Sequence, residues 1–498
     1  MRKDYNMKVL LAGVSGLLGR SLSDLFDSEG IEYISTHNTR PHKRSQRVSY
    51  DSETELDAFF EKEKPTVCVN CIVQRLTDVC ELNWPAIKKV NVDIPERLAR
   101  ICKKYGVLLV HISTDYVFDG LAAPYQPESE SNPLQNYGIS KLIAEKRVIA
   151  SGCLAMIIRV PVLYCDKVEN LEENAVTVIG KKVLNQIDTV KEDNWSVRRP
   201  VYIPDFCHFI LDSVKSQRTG IYHFYNPIDK TTKYQMALMI AAELGVSADH
   251  IQPQNTLPPT VDGAARPYDT QLVDTKYDIN SYTFTPLAEG IKRAFQHLKH
   301  PSIFENPSSV FLLLDLDGTL IDTEGLHFNA YKAAFSKWGY IFNEDEFQRL
   351  IHHGVYPSCQ NLADIRALKN KNLQSFDGPV QWMRGADVFL EKVLAAGVNL
   401  AIVTNTKKEN VDFFKQKLPV LAQVKNWITR EDTVLGKPHS QPYEEAKNRF
   451  WKEGQTIIGF ENTLAGLRSL EKVTRIIYYM GLAKKEDVFL IDDFSKVK

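Results

Sequence analysis

The chain has 498 residues, 44% of them apolar and 25% charged, and a formal net charge of -1. That length exceeds one compact core and calls for two or three soluble domains, and the near-neutral balance gives no reason to expect a polyanion partner. No run of about eighteen uninterrupted apolar residues occurs, so no membrane span is expected.

The start, MRKDYNMKVLLAGVSG, passes into a glycine turn after a few apolar positions; it lacks the long apolar segment of a signal peptide, and a cytoplasmic protein is expected. Cys68, Cys71, Cys80, Cys102, Cys153, Cys165, Cys207 and Cys359 are sparse for a disulfide-stapled fold and read as reduced and mostly buried. Cys68 and Cys71 have metal-pair spacing, but TVCVNCIV reads as a buried strand and no second pair follows.

Val9 to Ala12 form the first expected strand, followed by a turn and by Leu17, Leu18, Leu22, Leu25 and Phe26 at helical spacing. Gly13, Gly16 and Gly19 sit where a dinucleotide-binding turn needs them: at the tight turn, at the approach to pyrophosphate, and where helix packs on strand. The second strand, near Ile31 to Ser35, runs into THNTR. An acid there would repel a 2′-phosphate; Arg40, with Thr36, Asn38 and Thr39 as neutral donors, favours NADPH over NADH.

Val107 to Ile112 are expected to form a buried parallel strand with Ser113, Thr114 and Asp115 emerging at its carboxyl end. In NYGISK, Tyr137 and Lys141 lie one helical turn apart. That pairing suits carbonyl reduction, in which the tyrosine gives the proton accompanying hydride delivery and a nearby ammonium lowers its pKa.

Through GVSGLLG, STDYVFDG, YGISK, RRPVYIPDF, GIYHF and AARP, residues 7 to about 298 resemble the dTDP-4-dehydrorhamnose reductase family. These are extended short-chain dehydrogenase/reductases that also include the regulatory beta subunit of methionine adenosyltransferase. The resemblance implies a Rossmann-type doubly wound parallel sheet over 1–301, with a small substrate subdomain mainly in 160–301. It makes Thr114, Tyr137 and Lys141 the catalytic set and Arg199 a contact to substrate or to the interdomain wall. NADPH contacts are expected from Gly13, Ser15, Gly16, Leu17, Leu18 and Gly19, from Asn38, Thr39 and Arg40, and from Tyr137 and Lys141. The implied reaction is reduction of a nucleoside-diphosphate 4-keto-6-deoxy sugar, of the dTDP- or UDP-4-dehydrorhamnose type. Gln74 and Arg75, in VNCIVQRLTDVCE, depart from the small-residue stretch expected beside the cofactor and leave the exact substrate open. Some relatives are binding subunits with little chemistry, and some dimerise, so a possible homodimer is included.

Residues 302–309 carry a proline, an asparagine and paired serines and are read as a linker. Beyond it, LLLDLDGTL places Asp315 and Asp317 just past an apolar strand, Val310 to Leu314. Two carboxylates so close need a cation, and hard oxygen ligands suit Mg²⁺. Three more strand ends follow: Thr404 and Asn405 in AIVTNT, Lys437 in LGKPHSQPYEEA, and Glu461, Asn462 and Thr463 in TIIGFENTLAG.

Acid pair, hydroxyl, lysine and acid or amide, in that order, resemble the haloacid dehalogenase-like phosphatases over about Val310 to Phe494. The family mechanism makes Asp315 the nucleophile that becomes an aspartyl phosphate, and Asp317 the acid and then the base. Thr404 and Lys437 bind the phosphoryl group, and Asp315, Asp317, Glu461 and Asn462 hold Mg²⁺. Asn462 stands where relatives carry an acid, which lowers the charge at the metal and leaves a noncatalytic domain open. A haloacid dehalogenase-like Rossmannoid domain is expected over 310–498, with a helical cap at about 323–383. His327, His352, His353 and Arg366 are candidate specificity contacts in the cap; Asp492 and Asp493 read as a structural turn.

The whole reads as a bifunctional α/β enzyme, taking a nucleotide sugar and a small phosphorylated metabolite, with no nucleic-acid partner. The alternative is a noncatalytic NADPH-binding regulatory module fused to a phosphatase.

Overall fold

An unbroken apolar run can bury both faces of a strand only within a parallel sheet covered by helices. In the computed structural model, which describes residues 7–258, 263–299, 302–353, 355–481 and 488–497, two sheets are built on this principle. The chain forms one unit of Met1–Ile179, Lys191–Met239 and Ile251–Ala294, and another of Gly180–Val190, Ile240–His250 and Phe295–Lys498.

In the first unit β1 (Val9–Ala12), β2 (Tyr33–His37), β3 (Gln46–Arg47), β4 (Val67–Asn70), β5 (Leu108–Thr114), β6 (Ala155–Val160) and β7 (Gly220–His223) form one parallel sheet, in the order β7-β6-β5-β4-β1-β2-β3. Strand order reverses at β1, so a ligand crevice opens past its carboxyl end. Two strands differ from expectation: β2 starts at Tyr33 and ends at His37, and β5 runs through Ser113 and Thr114 because its pairing with β6 continues to Thr114–Val160. Cys68 lies fully buried in β4, and all eight cysteines are free.

Helix α1 (Leu17–Glu29) lays Leu18, Leu22 and Phe26 into the core. Its approach to the turn is set by Gly19, where a Cβ would stand 2.6 Å from Val14 Cα and 2.8 Å from the Gly13 carbonyl oxygen. Both are backbone atoms and cannot swing away. Gly19→Ala is therefore expected to destabilise this unit by about 1–3 kcal/mol, seen as a lower midpoint in thermal unfolding.

In the second unit β8 (Val310–Leu314), β9 (Asn399–Val403), β10 (Trp427–Ile428), β11 (Thr456–Glu461), β12 (Ile476–Tyr479) and β13 (Phe489–Leu490) form a parallel sheet in the order β10-β9-β8-β11-β12-β13. Every residue of β8 is 0% exposed, and the chain reverses direction across the sheet there, between β9 and β11. An antiparallel pair, Ile321–Asp322 with Gln381–Trp382, brackets a helical insertion. That insertion holds α3 (Glu324–Ser336), α4 (Glu344–His353) and α5 (Leu362–Gln374), with a separate core of Tyr331, Phe335, Phe342, Phe347 and Ile365. Asp493 caps the turn Phe494–Lys496 and pairs with Arg384 at 2.8 Å, a structural role. Among the described residues no helix is long and apolar enough to cross a membrane.

Candidate active sites

The turn after β1 opens the first site. Gly13 takes φ +83, a conformation that a side chain would strain, and a Cβ there would stand 2.6 Å from Ile72 Cγ1. Its N–H donates to the Thr36 carbonyl at 3.1 Å and to the Tyr50 hydroxyl at 3.2 Å. Tyr50, buried and also hydrogen-bonded to the Thr36 hydroxyl, belongs to no motif and was not foreseen. At the N-cap, Gly16 is extended, makes no side-chain cap, and has nothing closer than 3.8 Å to where its Cβ would be. With no acid in its first turn, α1 presents N–H groups and a positive dipole end toward the crevice. Arg40, in the bend after β2, is 63% exposed along its side chain and lies 3.8 Å from Glu169.

Thr114 ends β5, where its hydroxyl donates to Asp115 at 3.2 Å and accepts the Tyr116 N–H at 3.2 Å. Tyr137 and Lys141 sit on α2 (Asn136–Ser151). Burial and the charge of Asp115 push the Tyr137 hydroxyl up, and the Thr114 hydrogen bond opposes them. The expected lowering by Lys141 thus does not govern the free protein. Burial brings Lys141 itself down to about 8, against the pull of Glu145. Asp115 is buried and pushed up to about 6 by desolvation, opposed chiefly by Thr270 and Arg198.

On the substrate side the arginines are already matched. Arg199 holds Asp269 at 2.6 Å and 3.4 Å and Gln271 at 3.0 Å. Arg198 meets Asp193 at 3.4 Å, and Arg266 meets Asp78 at 2.8 Å. Arg75 reaches from beyond β4 to the Glu172 carbonyl at 2.7 Å.

The second site gathers at the end of β8. Asp315 continues the strand, its N–H bonded to the Phe460 carbonyl at 3.0 Å. The Lys437 ammonium lies 2.6 Å from Asp315 Oδ1, 2.5 Å from Glu461 Oε1 and 2.8 Å from the Tyr443 hydroxyl. Tyr443 in turn donates to Glu461 at 2.8 Å. Asp317 accepts from Thr404 at 3.0 Å, Thr406 at 2.7 Å, Thr323 at 2.8 Å and His327 Nε2 at 3.0 Å. Asp315, Asp317, Thr404 and Lys437 are therefore brought together, as is His327 from the cap.

The two aspartates are tuned apart. Burial, then the nearby Glu461 charge, pushes Asp315 up to about 7 against Lys437. Burial would also push Asp317 up, but the His327 hydrogen bond and field, with Thr406 and Thr323, outweigh it and hold the group well below the usual carboxylate range. Because a carboxylate only accepts, His327 donates through Nε2–H.

Behind it lies a cap residue that no motif flagged. Lys369 on α5 is 7% exposed, stands over the Tyr331 ring at 5.2 Å, and is brought down to about 8 by burial, against the attraction of Asp317. Arg366 stacks on Tyr356 at 5.1 Å. The His352 and His353 side chains lie outside the described residues.

As a cation site the expected set does not close. Both Glu461 oxygens are taken, Oε1 by Lys437 and Tyr443 and Oε2 by the Asn462 and Thr463 N–H groups at 3.0 Å and 3.2 Å. Asp317 is fully engaged by its four donors. Asp315 Oδ2 and Asn462 Oδ1 both accept from the Thr319 hydroxyl, at 2.9 Å and 3.2 Å. Among the described residues, no three His, Cys, Asp or Glu side chains converge as for a metal ion. Lys437 sets one positive charge between the Asp315 and Glu461 carboxylates.

Comparison with known proteins finds two successive family matches along the chain. Residues 7–300 match the family described as RmlD substrate binding domain, and residues 312–469 match haloacid dehalogenase-like hydrolase. The chain is 32% identical over 295 residues to methionine adenosyltransferase 2 subunit beta of Bos taurus, covering 58% of this chain and 87% of that protein. It is 27% identical over 248 residues to a dTDP-4-keto-6-deoxy-D-glucose reductase of Streptomyces niveus, covering 49% and 81% respectively. A solved dTDP-4-dehydrorhamnose reductase of Bacillus anthracis, in complex with NADP, shares the fold with a TM-score of 0.50 at 21% identity, covering 59% of this chain and 99% of that one.

Proposed function

The chain belongs to the RmlD substrate-binding-domain family through residues 7–300, and from that membership we propose that its first unit is an NADP(H)-binding module acting as a regulatory subunit would, joined to a phosphate-monoester hydrolase. The observation that carries the hydrolase is the convergence of Asp315, Asp317, Thr404 and Lys437 at one sheet end. In the cycle we propose, an Asp315 oxygen attacks phosphorus and the ester bond breaks, with Lys437 and Thr404 placed to hold phosphoryl oxygens. Asp317 starts ionised; the negative charge of the incoming phosphate raises its proton affinity, so that it takes up a proton from solvent and passes it to the leaving oxygen. Deprotonated again, it activates the water that cleaves the aspartyl phosphate. The expected substrate is a small phosphorylated metabolite, and phosphate release across a panel of sugar phosphates tests the assignment.

Two observations favour a module over a reductase in the first unit. The substrate-side cations Arg198, Arg199 and Arg266 are each paired with an aspartate, so a nucleoside diphosphate would have to displace a carboxylate at every one of them. The relatives at 32% identity are named as a subunit. A second reading, NADPH-dependent reduction of a nucleoside-diphosphate 4-keto-6-deoxy sugar, is favoured by Thr114 beside Tyr137 and by the Streptomyces reductase. Titrating the chain with NADPH and following its oxidation with dTDP- and UDP-4-keto-6-deoxy sugars separates the two. We expect binding without turnover, unchanged in Tyr137→Phe; turnover that falls at least about 100-fold in that variant would establish the reductase.

A further inference from the structure

Residues 165–174, CDKVENLEEN, connect the short strand Leu163–Tyr164 to the helix that starts at Ala175. Both ends are tied. Buried Asn174 donates to the Cys165 carbonyl at 3.1 Å, while its Oδ1 accepts the Val176 and Thr177 N–H groups, each at 3.0 Å. Leu171, 1% exposed, pins the middle, and Glu173 accepts the Glu169 N–H at 2.9 Å. The segment is thus a closed, self-bonded strap.

Its acids point at the crevice. Glu173 takes both terminal nitrogens of Arg20, at 3.2 Å and 2.6 Å, and the same guanidinium donates to the Ser15 carbonyl in the glycine turn at 2.9 Å. Glu169 stands 3.5 Å from Arg20 and 3.8 Å from Arg40. The Glu172 carbonyl receives Arg75 at 2.7 Å. Turn, post-β2 bend and post-β4 edge are the three places that a dinucleotide crosses in a doubly wound sheet. At the first two, the cation that would meet a phosphate already meets a carboxylate.

We propose that Glu169 and Glu173 hold, in the free protein, the arginines that the phosphates of the dinucleotide take when it binds. Binding is then an exchange of carboxylate for phosphate. Glu173 on Arg20 sets the affinity for any nicotinamide dinucleotide, and Glu169 on Arg40 sets the preference for a 2′-phosphate. The inference rests on the NADP(H)-binding reading above. The two effects differ in size because Arg20 and Glu173 are only 11% and 12% exposed along their side chains, whereas Arg40 and Glu169 are 63% and 58% exposed and solvent-screened.

The test is titration of the full chain with NADPH and with NADH, followed by nicotinamide fluorescence, for wild type, Glu173→Gln and Glu169→Gln. Glu173→Gln is expected to tighten both cofactors about ten-fold. Glu169→Gln is expected to tighten NADPH by about two- to five-fold and NADH by less, since Glu169 stands 3.5 Å from Arg20 as well. Weaker binding in either variant at an unchanged thermal unfolding midpoint, or affinities equal to wild type, overturns the exchange while leaving the cofactor reading intact. Absence of binding in all three proteins overturns both. If Glu173→Gln unfolds, Glu169→Gln, on an exposed side chain, still decides.

Discussion

Asp315→Asn is expected to reduce phosphate release from phosphate monoesters by at least about 10³-fold, roughly 4 kcal/mol of transition-state stabilisation, without lowering the thermal unfolding midpoint. The amide oxygen is isosteric with the carboxylate but is no nucleophile toward phosphorus, so the covalent route closes. Stability is spared for a separate reason. Asp315 and Glu461 flank one ammonium, and the repulsion of Glu461, together with burial, is what pushes Asp315 up to about 7. Removing one of the two negative charges relieves that repulsion and leaves Lys437 paired with Glu461 at 2.5 Å. Phosphate release and thermal unfolding of the same preparation check both halves. Activity close to wild type would remove Asp315 from the nucleophile's place.

Much of the fold was legible because it rests on local composition. Val310–Leu314 is a strand at the expected bounds, since five consecutive apolar residues before an acid pair have only the centre of a parallel sheet in which to bury both faces. The glycine turn was equally readable, because Gly13 and Gly19 answer to backbone geometry within a few residues. What escaped were partners far apart in the chain. Glu461 was foreseen at its strand end, yet its carboxylate goes to Lys437 and Tyr443, which arrive from a loop and a helix. Tyr50 and Lys369 belong to no motif, and hydrophobic periodicity assigns a residue to a face without naming what that face meets. The strap on Arg20 is the extreme case: no spacing rule links Arg20 with Glu173, 153 positions later.

The second large effect is thermodynamic. Lys437→Met is expected to destabilise the second unit by about 3–5 kcal/mol, a fall of about 10 °C in unfolding midpoint for a unit of this size, and to abolish phosphate release. The ammonium is 5% exposed, and its partners Asp315 and Glu461 are 9% and 0% exposed along their side chains, so its loss leaves two buried charges of one sign. Protonation of Asp315 limits the damage and gives it a pH signature. A carboxyl raised in the folded state above its ordinary 3.8 binds more protons folded than unfolded, so stability is lost as pH rises from about 4 through the folded value. In wild type that loss ends once pH has passed the raised folded value; without Lys437, whose charge lowers that value, the folded pKa is higher still and the loss continues to higher pH. The deficit of the variant should accordingly be larger at pH 8 than at pH 6, and adding Glu461→Gln should recover part of it. A midpoint equal to wild type at both pH values would mean that the buried ammonium is not what holds these carboxylates together.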